Sequence, residues 1–208
     1  MKLTNTSRSH GAGAKLVGIA AAALLALAVF AGSAQACSYT GAKQVFSPWG
    51  DHNSYVLAPD GGFEAGAAGW TLKNGAQAVA GNESYYLNGA ADSSSLSLPA
   101  GSSAVSPPIC MSLDTPILRM MARNSGDPSS KLRVEVTYRL LGLVRTNLVN
   151  TVTAGSSWAP TQQMSTVLGL STIIGTLIPS SIQIRITPLD SKGLWQVDDL
   201  HVDPFARH

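Results

Sequence analysis

Hydrophobic and polar residues alternate along much of the second half of the chain, a pattern typical of β-strands with one buried face. The clearest run is residues 131–140, where five apolar residues at even positions alternate with charged and polar ones. Residues 182–186 repeat the pattern with three isoleucines. Residues 117–123 and 143–153 are further apolar or β-branched segments. The pattern predicts four strands here.

The last predicted strand, residues 193–205, reads GLWQVDDLHVDPF and changes parity in its middle. Its apolar residues fall in two pairs of opposite parity, which are Trp195 and Val197, then Leu200 and Val202. Strict alternation would place the second pair on the wrong face. One extra residue at Asp198-Asp199, a β-bulge, would return all four to the core and direct an aspartate toward the rim of the sheet.

The first half of the chain contains shorter strand candidates at residues 55–58, 76–80, 85–87 and 96–98, separated by glycine and proline turns. Eight or nine short strands without a long helix predict an all-β protein, an antiparallel β-sandwich. Residues 37–60 are rich in aromatic and turn residues, and we expect them to wrap an edge of that sandwich.

Residues 165–180 are ambiguous. Their apolar residues fall at helical spacing, yet two glycines and three threonines weaken a helix. We interpret the segment as a covering loop over the open end of the sandwich, with an exposed apolar patch for a partner as the alternative.

Residues 1–36 have the three parts of a secretory signal peptide: a basic start, an apolar run at residues 16–30 and the small-residue site Ala-Gln-Ala. The apolar run is too short to span a bilayer. We therefore expect one exported domain at residues 37–208, with no transmembrane segment. The residues before Cys37 lack the leucine and small-residue pattern of a lipoprotein signal, which argues against a lipid anchor.

The charge of the chain bears on its possible partners, and its cysteines bear on a disulfide. The leader holds three of the 14 Lys and Arg and no acid, so the remainder carries 11 bases against 12 acids. A near-neutral surface argues against nucleic acid as a partner. Both cysteines, Cys37 and Cys110, lie in the exported part, where oxidising conditions favour a disulfide. Closing that loop would contribute about 4 kcal/mol.

The stretches GGFEAGAAGW and WQVDDLHVDP, at opposite ends of the domain, together resemble jelly-roll carbohydrate-binding modules of the galactose-binding-like type. The whole chain also looks like secreted actinobacterial proteins of unknown function, which share an FSPWGD-like segment and a final strand ending in Val-Asp-Pro. The resemblance implies a jelly roll whose first and last strands lie side by side.

In such jelly rolls a carboxylate from each end, with backbone carbonyls, often holds a structural calcium. The resemblance would assign this role to Glu64, Asp198 and the carbonyl of Gly62, with Asp198 rather than Asp199 turned toward Glu64. The alternative is that the two aspartates accept hydrogen bonds from backbone donors at the rim or pair with Arg185.

No catalytic residue is predicted. The sequence contains no nucleophile elbow, zinc-binding helix or phosphate loop. His201 is expected to point outward, and Asp51-His52 to form a surface turn. Trp70 and Trp195 follow the core parity, whereas Trp49, Tyr85 and Tyr86 are candidates for an exposed sugar-binding platform.

We therefore expect a secreted, non-enzymatic, carbohydrate-binding-like module for cell-wall or environmental glycan. The alternative is a structural or protein-interaction domain of the cell envelope without a sugar site. That domain would use residues 167–178 or the N-terminal wrap to contact an envelope protein. A hydrolase is the third and least supported class.

Overall fold

The computed structural model divides the chain into two units, Met1–Gln35 and Ala36–His208. It describes Met1 and residues 39–110, 117–140, 143–166 and 181–204. The account below concerns the second unit. The predicted signal peptide, Cys37, and residues 167–180 of the predicted covering loop lie outside the described residues.

The described residues form thirteen strands and one short 3-10 helix at Ser47–Trp49. In chain order the strands are β1 (Val56–Leu57), β2 (Thr71–Lys73), β3 (Gln77–Ala80), β4 (Ser94–Pro99), β5 (Ser103–Val105), β6 (Ile109–Cys110), β7 (Ile117–Asn124), β8 (Leu132–Leu140), β9 (Leu143–Val152), β10 (Ala159–Pro160), β11 (Met164–Ser165), β12 (Ser181–Pro188) and β13 (Leu194–Asp203).

The strands form two antiparallel sheets. The first has the order β10-β7-β13-β4-β3, with β1 also paired to β13 and β11 to β7. The second has the order β2-β5-β12-β8-β9, with β6 paired to β12. One apolar cluster takes side chains from both sheets. The predicted all-β sandwich is therefore confirmed.

The main core lies between the sheets, where the predicted alternation holds. Leu132, Val134 and Val136 of β8 are fully buried, and Tyr138 is nearly so. Trp195 of β13 is also buried, and its indole Nε1 donates to Ser130 Oγ at 2.9 Å. A period-2 pattern is sufficient to place these residues because one face of each strand packs against the opposite sheet.

A second, smaller core lies under the N-terminal wrap, on the other face of the first sheet. It joins Phe46 and Tyr55 of the wrap to Ile117 and Met121 of β7 and to Trp158. Strand β7 is consequently buried on both faces.

One predicted strand differs from the structure. Residues 85–87 do not form a strand; they lie in a series of turns, with Tyr86 at φ 55°. The segment around Phe63 and Glu64 also forms turns, and β1 is the early strand that pairs with β13. Glycines and small residues flank both segments and favour turns over strand pairing.

Candidate functional site

The predicted β-bulge is present in β13. Asp198 pairs with Met121 and His201 with Arg119, so Asp199 and Leu200 together face one residue of β7. Asp199 adopts a left-handed conformation with φ 48°, which aspartate tolerates better than most residues. The apolar residues on both sides of the bulge are buried, as predicted from the change of parity: Trp195, Val197, Leu200 and Val202.

The carboxylate of Asp198 binds backbone N–H groups. Oδ2 accepts a hydrogen bond from the N–H of Glu83 at 3.0 Å, and Oδ1 accepts one from the N–H of Asp199 at 2.8 Å. Glu83 precedes Asp198 by 115 residues. Asp198 therefore attaches the loop before β4 to the last strand of the domain.

Glu64 has a similar role at the other side of this loop. Its Oε1 accepts hydrogen bonds from the N–H groups of Ser93 and Ser94 at 2.8 and 2.6 Å, and its Oε2 accepts one from the Ser93 hydroxyl at 2.9 Å. Both predicted ligand carboxylates, Glu64 and Asp198, thus have backbone donors as partners. For Asp198 this is the alternative that the sequence left open, in which the aspartates of the bulge accept hydrogen bonds from backbone donors.

Three other carboxylates meet beside the bulge. Glu83, Asp92 and Asp199 each place one oxygen within 4.8 Å of the others, and all three residues are buried. The side-chain oxygens of Asp92 and Asp199 are buried and accept no well-formed hydrogen bond, although Asn88 lies beside both carboxylates and Glu64 lies beside Asp92. The resemblance gave the cation to Asp198, turned toward Glu64, whereas in the structure Asp199 supplies the oxygen of this cluster and Asp198 accepts backbone hydrogen bonds. The left-handed backbone at Asp199 directs that residue toward the cluster.

Gly62 borders the acidic cluster. A Cβ atom at this position would lie 2.9 Å from Asn88 Nδ2, 3.3 Å from Asp199 Oδ1 and 3.6 Å from Asp92 Oδ1. The space therefore suits glycine, because a side chain would enter the carboxylate cluster. Gly62 was predicted beside a cation on the basis of the resemblance, and the structure places it against two of the three carboxylates.

Burial makes the charged forms of Asp92, Asp198 and Asp199 costly. It raises the pKa of Asp199 to about 8, and the charges of Asp92 and Glu83 add to this shift. Burial raises the pKa of Asp198 to about 8 and that of Asp92 to about 7. At an effective dielectric constant near 20, two full charges about 4.8 Å apart repel by about 3.5 kcal/mol.

The acidic cluster fits a hard cation. Calcium takes six to eight oxygen ligands at about 2.3–2.6 Å, and three carboxylates can supply up to six of them. The ion pairs among the described residues involve other acids, namely Asp51, Glu135 and Asp127. Among the described residues, Asp92 and Asp199 are therefore not paired with a protein cation, and Asn88 is the neutral donor beside them.

An aromatic surface adjoins the acidic cluster. The rings of Trp49 and Tyr85 meet edge to face at 4.9 Å, and Trp49 also packs beside Phe46 at 6.3 Å. Tyr85 and Tyr86 are each 52% exposed, whereas Trp49 is half-buried. The structure thus brings together Trp49 and Tyr85, two of the three aromatic residues predicted for a sugar-binding platform. The third, Tyr86, is the next residue in the chain.

The burial of His201 and Asp51 differs from the predictions. His201 is buried, with its Nδ1 2.7 Å from the carbonyl of Asp199 and its ring 5.6 Å from Phe46. Burial lowers its pKa to about 4. His201 does lie on the outward face of β13, opposite the core residues Leu200 and Val202, but it is buried because the N-terminal wrap covers that face. His52 is exposed, as expected for a turn, but Asp51 is buried and paired with Arg119.

Glu83 and Asp92 were not selected from the sequence. They occur in a loop of glycine, serine and tyrosine that matches no metal-binding motif. One signal was available: they are the only acids between Glu64 and Asp114. An isolated acid in a small-residue loop is compatible with a buried ligand, but the sequence does not show which strand the loop contacts.

No protein-family model and no characterised protein matches the chain by sequence. Among solved structures, the chain is similar to the CBM22-1 xylan-binding domain of Paenibacillus barcinonensis Xyn10C, at 16% identity and a TM-score of 0.48 over 71% of this chain and 96% of that domain. A family 16 carbohydrate-binding module matches at 17% identity and a TM-score of 0.47, over 71% of this chain and 99% of the module. TmCBM61, solved with β-1,4-galactotriose, matches at 13% identity and a TM-score of 0.44, over 73% of this chain and 98% of that one. These structures include carbohydrate-binding modules, the class that the end motifs of the chain resemble.

Proposed function

We propose that the protein is an exported, non-catalytic, carbohydrate-binding-like module whose ligand is a cell-wall or environmental glycan. The observation that carries the proposal is the contact between Trp49 and Tyr85, with the exposed Tyr86 next in the chain. The two tyrosines are half exposed, and Tyr85 contacts Trp49 at 4.9 Å. A flat apolar ring with a polar edge suits a sugar, which presents C–H groups on one face and hydroxyls around its rim.

We further propose that the acidic cluster holds a structural calcium ion. Glu83, Asp92 and Asp199 would be its carboxylate ligands. Such an ion would join the loop of residues 81–93 to the bulge of β13. The support is that Asp92 and Asp199 are buried, are not paired with a protein cation and accept no well-formed hydrogen bond.

A disulfide between Cys37 and Cys110 is part of the proposal. Cys110 ends β6, and no cysteine in the described ranges is a free thiol. The hydroxyl of Tyr39 donates to the carbonyl of Cys110 at 2.9 Å. This contact holds the chain beside Cys110 only two residues after Cys37, and it therefore supports the predicted pairing and an oxidising destination.

The proposed module is non-catalytic because of where its carboxylates lie. Glycoside hydrolysis uses two carboxyl groups on either side of an accessible sugar. Glu83, Asp92 and Asp199 are instead almost wholly buried, at 0%, 7% and 0% exposure. They suit a structural cation better than attack on a glycosidic bond.

A second candidate function is a structural or interaction domain of the cell envelope. Strand β9 favours it, because Leu143, Val144 and Leu148 are 56%, 56% and 63% exposed. β9 is also the last strand in the order of the second sheet. Exposed apolar residues on an edge strand can bind another protein.

Polysaccharide pull-down with affinity electrophoresis tests the first candidate. We expect retention by at least one insoluble or soluble glycan, with a loss of about tenfold or more in affinity for Tyr85→Ala and Tyr86→Ala. Leu194→Ala is the matched control, since Leu194 is 55% exposed but lies on β13. Absence of binding to every glycan would reject the proposal. Self-association that Leu148→Asp abolishes would then favour the second candidate.

A further inference from the structure

Glu83 contacts both the acidic cluster and the aromatic surface. Its Oε1 accepts a hydrogen bond from the N–H of Leu87 at 2.6 Å, and its Oε2 accepts one from the N–H of Tyr85. The same carboxylate contributes an oxygen to the acidic cluster with Asp92 and Asp199. One buried side chain therefore lies between the predicted cation and the loop that carries Tyr85.

The chemistry of a carboxylate permits both contacts. Its two oxygens together offer about four lone-pair positions. The N–H groups of Tyr85 and Leu87 use two of them, so the others can face a cation. The backbone N–H of Glu83 is itself bound to Asp198 of the bulge, which limits how far the side chain can turn.

The two backbone groups that Glu83 binds determine where the aromatic surface lies. The ring of Tyr85 contacts Trp49, and Leu87 packs against the small core beneath the wrap that also includes Phe46. A movement of the Glu83 carboxylate would therefore shift Tyr85 relative to Trp49. A cation bound between Glu83, Asp92 and Asp199 would hold the Glu83 carboxylate at the cluster, and loss of that cation would leave the carboxylate free to move.

We propose that Glu83 is a positioning residue that couples cation binding in the acidic cluster to the arrangement of the Trp49–Tyr85 pair. Calcium would then act on the proposed sugar-binding surface as well as on stability. The coupling rests on the calcium ion proposed above but not on sugar binding, whereas its consequence for glycan affinity rests on both.

Iodide quenching of tryptophan fluorescence tests the coupling without a glycan. The other three tryptophans, Trp70, Trp158 and Trp195, are at most 8% exposed, so the difference between the protein and its Trp49→Phe variant reports on Trp49. Saturating calcium, compared with chelator, should lower the quenching of Trp49 by about twofold, because an ordered loop shields the indole.

Two variants should remove this response. Glu83→Gln keeps Asp92 and Asp199 but removes the negative charge of residue 83. Asp199→Asn changes the cluster and leaves the hydrogen bonds from Tyr85 and Leu87 to Glu83 in place. Asp127→Asn is the control, since Asp127 binds Ser129 and Lys192 in an exposed turn. If Glu83 had only a structural role, Glu83→Gln would change the quenching of Trp49 by the same amount with and without calcium. If Glu83→Gln fails to fold, Glu83→Asp carries the test, since it keeps the charge and draws the carboxylate away from the N–H groups of Tyr85 and Leu87.

Glycan affinity under the same conditions separates the two proposals. We expect binding about tenfold weaker in chelator than in calcium, equivalent to about 1.4 kcal/mol. If calcium raises the melting midpoint but leaves Trp49 quenching and glycan binding unchanged, the coupling is wrong and the proposed function stands. If Trp49 responds to calcium but no glycan binds, the coupling stands and the proposed function fails. If calcium changes neither the midpoint nor the quenching, the coupling is overturned.

Discussion

The buried ion pair between Asp51 and Arg119 should be the strongest single electrostatic contact between the N-terminal wrap and the first sheet. Its side chains are only 4% and 10% exposed. Asp51 also accepts a hydrogen bond from the Tyr55 hydroxyl at 2.8 Å, and Arg119 Nε donates to the carbonyl of Thr161 at 2.7 Å. Asp51→Asn keeps the size of the side chain and removes its charge.

The expected cost of Asp51→Asn follows from the charge left behind. Arg119 would keep Thr161 and its contact with Phe46, whose ring centre is 4.7 Å away, but it would lose its anion. Removing one partner of a buried pair costs about 3–5 kcal/mol. For a domain of this size, that corresponds to a fall of roughly 6–20 °C in the melting midpoint.

The assay is thermal and urea unfolding followed by circular dichroism. Arg119→Met and the double variant complete a thermodynamic cycle, and the double variant should be less destabilised than the sum of the two single variants. The control pair is Lys192 with Asp127, at 3.8 Å and with side chains 70% and 34% exposed. Asp127→Asn should change the free energy of unfolding by less than about 1 kcal/mol.

The effect of Asp51→Asn should also depend on pH. Burial alone would raise the pKa of Asp51, but hydrogen bonds from Gln163, Tyr55 and the backbone of Asn53 outweigh it and hold the pKa below the usual 3.8. The stabilisation is therefore present above the unfolded-state pKa and is lost as the pH falls through the lower folded-state value. A change of less than about 1 kcal/mol at pH 7, or additive single variants, would refute the reasoning.

Three further outcomes are expected. Calcium at a hundredfold excess over its dissociation constant should stabilise the protein by about 2.7 kcal/mol and so raise its melting midpoint. Asp199→Asn should abolish this rise. Equal midpoints in calcium and in chelator would exclude a calcium site. Replacing Cys37 by serine should lower stability by about 2–5 kcal/mol, and reduction of the unmodified protein should do the same; a free thiol at Cys110 under oxidising conditions would contradict the pairing. Gly126→Ala should destabilise by about 1–3 kcal/mol, because its Cβ would lie 2.3 Å from the carbonyl oxygen of Lys192, whereas Gly155→Ala, with no atom within 4 Å, should be nearly neutral; equal stabilities by urea unfolding would show that the turn can relax.

Residue patterns predicted the sandwich and the bulge because both depend on local periodicity. The alternation in β8 placed Leu132, Val134 and Val136 inside, and all three are fully buried. The change of parity between Val197 and Leu200 required an extra residue, and the register of β13 on β7 shows it. Each inference needs only neighbouring residues and one buried face.

The candidate site was predicted only in part, since its residues meet through long-range contacts. Asp199 was recognised as part of the bulge, but its place in the acidic cluster depends on its backbone φ of 48°. Glu83 and Asp92 come from a turn-rich loop whose attachment to β13 spans 115 residues. No local pattern specifies such a contact, because many loops could reach the same rim.

The sequence by itself determined that this chain forms a β-sandwich with a bulged last strand. It also identified Trp49, Tyr85 and Tyr86 as candidates for an exposed aromatic surface. Only the tertiary structure decided that Asp199 joins Glu83 and Asp92, that Trp49 meets Tyr85, and that the wrap covers His201 and Arg119. The physical reason why the sequence predicted the fold but not the site is the burial of charge. Whether a carboxylate is solvated, paired with arginine or left without a donor depends on what packs over it, and packing is decided by the whole chain.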